Sequence, residues 1–196
     1  MITVLSHFFI KDRDRMEDGS VRRAYGMLCS IVGILLNVLL FAGKYLAGVL
    51  SGSIAITADA FNNLSDAGSS FITLVGFRFS GMKADASHPF GHGRIEYISG
   101  FGVSVVIILM GVELLKTSVE KILHPEPVNA GLLPASILAA SICVKLYMSY
   151  YNRKIGARIG SEAMKAAGMD SLSDSAATGA VLFSMGGGYF TELKIR

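Results

Sequence analysis

Cysteine is scarce in this chain, and the two that occur, Cys29 and Cys143, stand alone. Neither has a CxxC partner or a Cys/His neighbour at metal-ligand spacing, so no disulfide framework or zinc finger is implied. They read instead as small, buried, apolar residues inside hydrophobic stretches. No GxxxxGK[ST] loop is present to cradle a nucleotide phosphate, which leaves an ATP-driven pump without local support. A Gly-x-Ser-x-Gly elbow and an HExxH segment are also missing, so serine and zinc hydrolases lack their motifs and the chain reads as a non-enzyme. Charge is sparse, at 17% of 196 residues. The net charge of +3 collects at the borders of apolar stretches rather than on an aromatic-interleaved patch, so no nucleic-acid partner is implied.

What the chain has in quantity is apolar surface, with 52% hydrophobic residues. Stretches long enough to cross a bilayer run over about 27–49, 53–79, 95–123, 131–151 and 162–189. The expected fold class is therefore all-α, a polytopic transmembrane helix bundle with five predicted spans. The expected layout is an N-terminal tail over 1–24, a transmembrane domain over 25–190 and a short tail over 191–196. The opening residues through Ile10 are mostly apolar but meet Lys11, Asp12, Arg13, Asp14 and Arg15 without a small-residue cleavage pattern, unlike a signal peptide. Arg22 and Arg23 precede the first span, Arg78, Lys83 and Arg94 lie between the second and third, and Arg153, Lys154 and Arg158 follow the fourth. Basic residues mark cytoplasmic segments, so the expected location is the cell membrane, multi-pass, with a cytoplasmic N-terminus.

Inside these apolar stretches lie two polar pairs at the same spacing, Asn62 with Asp66 and Asp170 with Asp174. Residues four apart share a helix face, about 6 Å along the axis, so each pair can aim two oxygen-bearing side chains at one point. A carboxylate near the bilayer centre costs about 2.5 to 3.5 kcal/mol on insertion scales, and a divalent cation is the simplest compensating partner. Ala, Gly and Ser flank both pairs and let neighbouring helices approach closely. A packing role remains open at this stage: Asp66 could bond across a helix interface, and Asp170 and Asp174 could favour a helix start. The latter two lie two to three turns beyond Glu162, deeper than that role needs.

Other polar residues have local accounts. Lys44 could snorkel to the outer border, and Glu113 and Lys116 are spaced to pair. Asp59 shares the face of Asp66 nearer the outer surface and could line an exit path, without being a ligand. His7 and His124 read as ordinary surface residues. Asp85, His88 and His92 have spacings that cluster on one face of a helix or turn, which makes them either a secondary metal site or a polar cap before the third span.

The stretch from Ser51 through Asp66, the segment His88-Pro89-Phe90-Gly91-His92-Gly93-Arg94-Ile95-Glu96, and Asp170 through Asp174 resemble the cation diffusion facilitator family of divalent-metal transporters. The resemblance runs from about Arg22 to Ser184. It implies a mid-membrane transport site made by Asn62, Asp66, Asp170 and Asp174, with metal leaving the cytoplasm in exchange for protons. It also implies a homodimer, and a possible loop site at Asp85, His88 and His92. The quartet has one Asn and three Asp and no His, which is similar to the manganese-exporting branch. Hard oxygen ligands suit Mn²⁺, although raw affinity favours Zn²⁺ over Mn²⁺, so Zn²⁺ and Fe²⁺ stay as alternative cargo. No resident cofactor is expected. With no His in the quartet, Asp66, Asp170 or Asp174 is expected to carry the exchanged proton, because low dielectric favours a protonated carboxyl and bound metal favours an ionised one.

Members of that family usually have a sixth span and a cytosolic domain. This sequence instead ends after Gly186-Gly187-Gly188 with Tyr189 through Arg196, and the expectation is a truncated or incomplete chain. The rival expectation is a non-transporting membrane polypeptide that binds metal.

Overall fold

The computed structural model describes residues 2–10, 18–51, 54–82, 89, 91–123 and 132–195. Helix α1 covers Ile2–Phe9, α2 Gly19–Ser51, α3 Ile54–Ser80, α4 Ile95–Leu123, α5 Leu132–Ile159 and α6 Glu162–Ile195. No strand occurs among the described residues. Helices α2 to α6 run over the five apolar stretches. The shortest, α3, has 27 residues. At 1.5 Å per residue that is about 40 Å, enough for a hydrocarbon core of about 30 Å.

Local chemistry sets the helix ends. Asp18 caps α2: its Oδ1 accepts hydrogen bonds from the Ser20 N–H and Ser20 Oγ, both at 2.7 Å. The α5–α6 connection is a tight turn at Gly160-Ser161. Gly160 takes φ 64°, a left-handed conformation that favours glycine, and the Ser161 N–H returns to the Gly156 carbonyl at 2.9 Å. Ser161 Oγ then accepts from the Met164 N–H at 3.4 Å, so one residue closes α5 and opens α6.

Two antiparallel hairpins, α2–α3 and α5–α6, make the most extensive contacts. Helix α4 packs against α3 and α6, and α2 against α5. In the first hairpin a Cβ on Gly26 would come 2.5 Å from the Phe77 ring and one on Gly33 3.0 Å from Ser70 Oγ. Further along, Lys44 Nζ lies 2.8 Å from Asp59 Oδ2. These pairings share one antiparallel register because both helices rise equally per residue, and the same register sets Asn37 level with Asp66. Lys44 therefore does not snorkel. It is 2% exposed and faces Asp59 across the hairpin.

At one end of the bundle Arg22 ties three helix termini together. Its Nη2 lies 2.7 Å from Glu96 Oε1 in the first turn of α4, and its Nε donates to the Ile159 carbonyl at the end of α5 at 2.5 Å. An acid at a helix start and a cation at a helix end both complement the helix dipole. Below this clamp lies an apolar core of Val21, Tyr25, Cys29, Phe77, Met148 and Met164.

Further along the bundle the usual order of a soluble protein is inverted. Asn37, Asn63, Asp66, Ser141 and Lys145 are buried, whereas Leu35, Leu39, Phe101, Ile108, Leu109, Val112 and Leu115 are exposed. Polar inside and apolar outside is what a helix bundle in lipid requires. By length and composition α2 and α4 are each apolar enough to cross alone. Helices α3, α5 and α6 carry the acids and the lysine of a buried cluster, and α2 adds Asn37 and Lys44.

Three local expectations change. The first 24 residues are not simply a tail: α1 folds back, the Ile2 N–H donates to Tyr147 Oη at 3.0 Å, and Ile2 and Ile10 join the core. Cys29 is buried, but Cys143 is exposed, on the outward face of α5. Glu113 and Lys116 are both exposed, and no ion pair joins them.

Candidate metal site

Asp66 arrives from the middle of α3, while Asp170 and Asp174 arrive from consecutive turns of α6. One carboxylate oxygen from each lies within 4.8 Å of the others. The two helices make only a limited direct contact, and the short aspartate side chains meet where the two helices come closest. Asp66 is buried, at 3% exposure, and Asp170 and Asp174 are half-buried.

Around the α6 acids the hydroxyls are turned back on their own helix. Ser171 donates to the Ala167 carbonyl at 3.0 Å, Ser173 to Met169 at 3.2 Å and Ser175 to Ser171 at 2.8 Å. Their hydrogens are thereby engaged, and the carboxylates are left to find partners across the bundle. Asn62 sits one turn before Asp66 on α3 and is half-buried. Its neighbour Asn63 is 1% exposed and donates through Nδ2 to the Asp59 carbonyl at 3.0 Å.

The sequence reading overlooked the cation in this cluster. Lys145 reaches in from α5, with Nζ 2.5 Å from Asp66 Oδ2 and 2.7 Å from Asp174 Oδ2. Its side chain is 3% exposed. The signal in the sequence was partial: a lysine inside an apolar stretch carries the same kind of insertion penalty that made the carboxylates conspicuous, but less of it toward the end of the stretch. Asp66 Oδ1 is buried with no hydrogen-bond partner. An unpartnered carboxylate oxygen in a buried site is costly unless something positive reaches it.

The cluster is thus all-oxygen, with an ammonium held between two of its three acids. Such a donor set suits hard divalent cations. Of the candidate loop site, Asp85 and His88 lie outside the described residues. His92 is half-buried just before α4, where its carbonyl accepts the Ile95 N–H at 3.0 Å. Asp59 is engaged with Lys44 near the start of α3.

Residues 30–196 match the cation efflux transmembrane domain. The chain is 31% identical over 146 residues to the manganese efflux system protein MneS of Bacillus subtilis, covering 74% of this chain and 50% of that protein. It is 31% identical over 166 residues to the magnetosome protein MamM of Magnetospirillum gryphiswaldense, covering 83% and 51%. It is also 29% identical over 164 residues to the cation-efflux pump FieF of Cronobacter sakazakii, covering 82% and 55%. The chain spans about half the length of the curated relatives it matches. With the domain matched across most of its length, and with acids converging inside an apolar-coated bundle, the chain belongs to the cation efflux family, the cation diffusion facilitators.

Proposed function

We propose that this chain forms the membrane part of a divalent metal exporter that exchanges cytoplasmic metal for protons, with Asn62, Asp66, Asp170 and Asp174 as the transport site. The observation that carries this reading is the convergence of Asp66, Asp170 and Asp174 from two different helices in the interior of a lipid-facing bundle. Carboxylates in that setting bind a divalent cation in their ionised form and are driven to take up protons once it leaves, so competition between metal and proton for the same oxygens couples the two fluxes. No covalent chemistry is required.

Mn²⁺ is the favoured cargo. An all-oxygen donor set discriminates less strongly in favour of Zn²⁺ than one containing imidazole. One of the relatives bears the name of a manganese efflux system protein, which supports the same choice. The end of the bundle bearing Arg22, Arg23, Arg94 and Arg158 faces the cytoplasm on this reading.

The test is transport by the purified chain in liposomes carrying a pH gradient. Mn²⁺ uptake that dissipates the gradient, and is lost in D170N, is the expected result. Saturable Mn²⁺ binding without flux would instead favour a non-transporting metal-binding polypeptide, and Zn²⁺ flux without Mn²⁺ flux would overturn the cargo.

A further inference from the structure

The oxygens that the transport-site reading assigns to a metal are already shared by a cation that belongs to the protein. Lys145 Nζ bonds Asp66 Oδ2 and Asp174 Oδ2, one from each side of the proposed site. Three ionised carboxylates and one ammonium leave two negative charges, the complement of a divalent cation. Asp66 Oδ1, buried and unpartnered, offers a point of attack that the ammonium does not cover.

Four further buried polar atoms within about a turn of this level have no hydrogen-bond partner: Asn63 Oδ1 and Ser69 Oγ on α3 itself, and, on the neighbouring helices, Asn37 Oδ1 and Ser141 Oγ, the latter two each in a residue 1% exposed. Ser141 precedes Lys145 by one turn on the same face of α5, and Asn37 is level with Asp66 across the α2–α3 hairpin. Both are acceptors for a lysine that has let go of the carboxylates. Buried acceptors without donors are uncommon, and a lysine with an alternative pair of oxygens accounts for the two on α2 and α5.

We propose that Lys145 is a tethered counter-cation of the transport site. Its ammonium holds Asp66 and Asp174 together between rounds of metal binding and competes with the incoming divalent cation for their Oδ2 atoms. When metal binds, the ammonium swings to Asn37 Oδ1 and Ser141 Oγ, keeping its proton. Lys145 is a positioning residue: it sets affinity and favours release without ligating the metal. This inference rests on the transport-site reading above.

The experiment is a comparison of Mn²⁺ binding by the unaltered chain, K145Q, K145R and D170N in detergent, read by electron paramagnetic resonance of free Mn²⁺. Removing the competing charge should tighten Mn²⁺ binding at least about tenfold in K145Q, while K145R stays near the unaltered chain. A purely structural lysine predicts the opposite sign, so binding that is weaker or unchanged in folded K145Q overturns the proposal. A second measurement needs no substitution: the ¹⁵Nζ resonance of Lys145 in the unaltered chain should shift on saturation with diamagnetic Cd²⁺, and an unmoved resonance overturns the proposal. If the unaltered chain does not bind Mn²⁺, the transport-site reading falls as well. If it binds Mn²⁺ and D170N abolishes binding while K145Q does not tighten it, only the counter-cation falls.

Discussion

Lys44 Nζ lies 2.8 Å from Asp59 Oδ2, near the end of α2 and the start of α3. The lysine side chain is 3% exposed and the aspartate 33%, so one partner is withdrawn from solvent and the other is only partly shielded. Breaking such a pair leaves a buried charge with no counter-ion. Lys44→Met should be tolerated better than Asp59→Asn, because the latter strands the buried ammonium. We expect Asp59→Asn to lower stability by about 1 to 3 kcal/mol, and the double variant to recover most of it. Thermal unfolding in detergent checks this, and equal destabilisation by both single variants and the double would refute the coupling.

The quartet should respond in graded fashion to loss of charge. Asp66→Asn, Asp170→Asn and Asp174→Asn each remove an anionic donor, and Mn²⁺ affinity should fall about 100-fold or more, which corresponds to ~2.7 kcal/mol. Asn62→Ala removes a neutral donor and should cost about tenfold. Calorimetric titration distinguishes the two magnitudes, and an undiminished affinity in any aspartate variant would remove that residue from the site.

Metal choice should follow the donor atoms. Replacing the amide oxygen by imidazole in Asn62→His is expected to move preference toward Zn²⁺ by about tenfold relative to Mn²⁺, since imidazole suits Zn²⁺ and hard oxygen suits Mn²⁺. A competition titration with both metals gives the ratio directly. A ratio unaltered by the substitution would show that Asn62 does not touch the cargo.

The turn between α5 and α6 should be sensitive at its glycine. Gly160 has φ 64°, so Gly160→Ala is expected to destabilise by about 1 kcal/mol, with Gly160→Asn milder because asparagine tolerates the left-handed region. The ranking is the test, and a more stable alanine variant would contradict it.

How far these features can be read without coordinates depends on their range. The bundle was legible because the long apolar runs carry their own length signal, and Asp66, Asp170 and Asp174 were legible because acids there are conspicuous. Lys145 was missed for a physical reason. The fourth apolar stretch ends near Tyr151, which puts Lys145 toward a border where lysines snorkel, whereas α5 continues to Ile159 and places it deeper in the bundle. The pairing of Lys44 with Asp59 needs the antiparallel register of two helices, which no local pattern encodes. The docking of α1 through Ile2 and Tyr147 depends on residues far apart in the chain.

The division of the bundle into hairpins splits the acidic cluster unequally. Asp66 rides on one hairpin, whereas Asp170, Asp174 and Lys145 all ride on the other, whose two helices are joined through Gly160-Ser161. A slide of one hairpin along the other leaves the distance between Asp170 and Asp174 untouched but pulls Asp66 away from both. Relative sliding of the two hairpins is therefore enough to separate the acid on one from the two acids on the other, with no helix needing to bend.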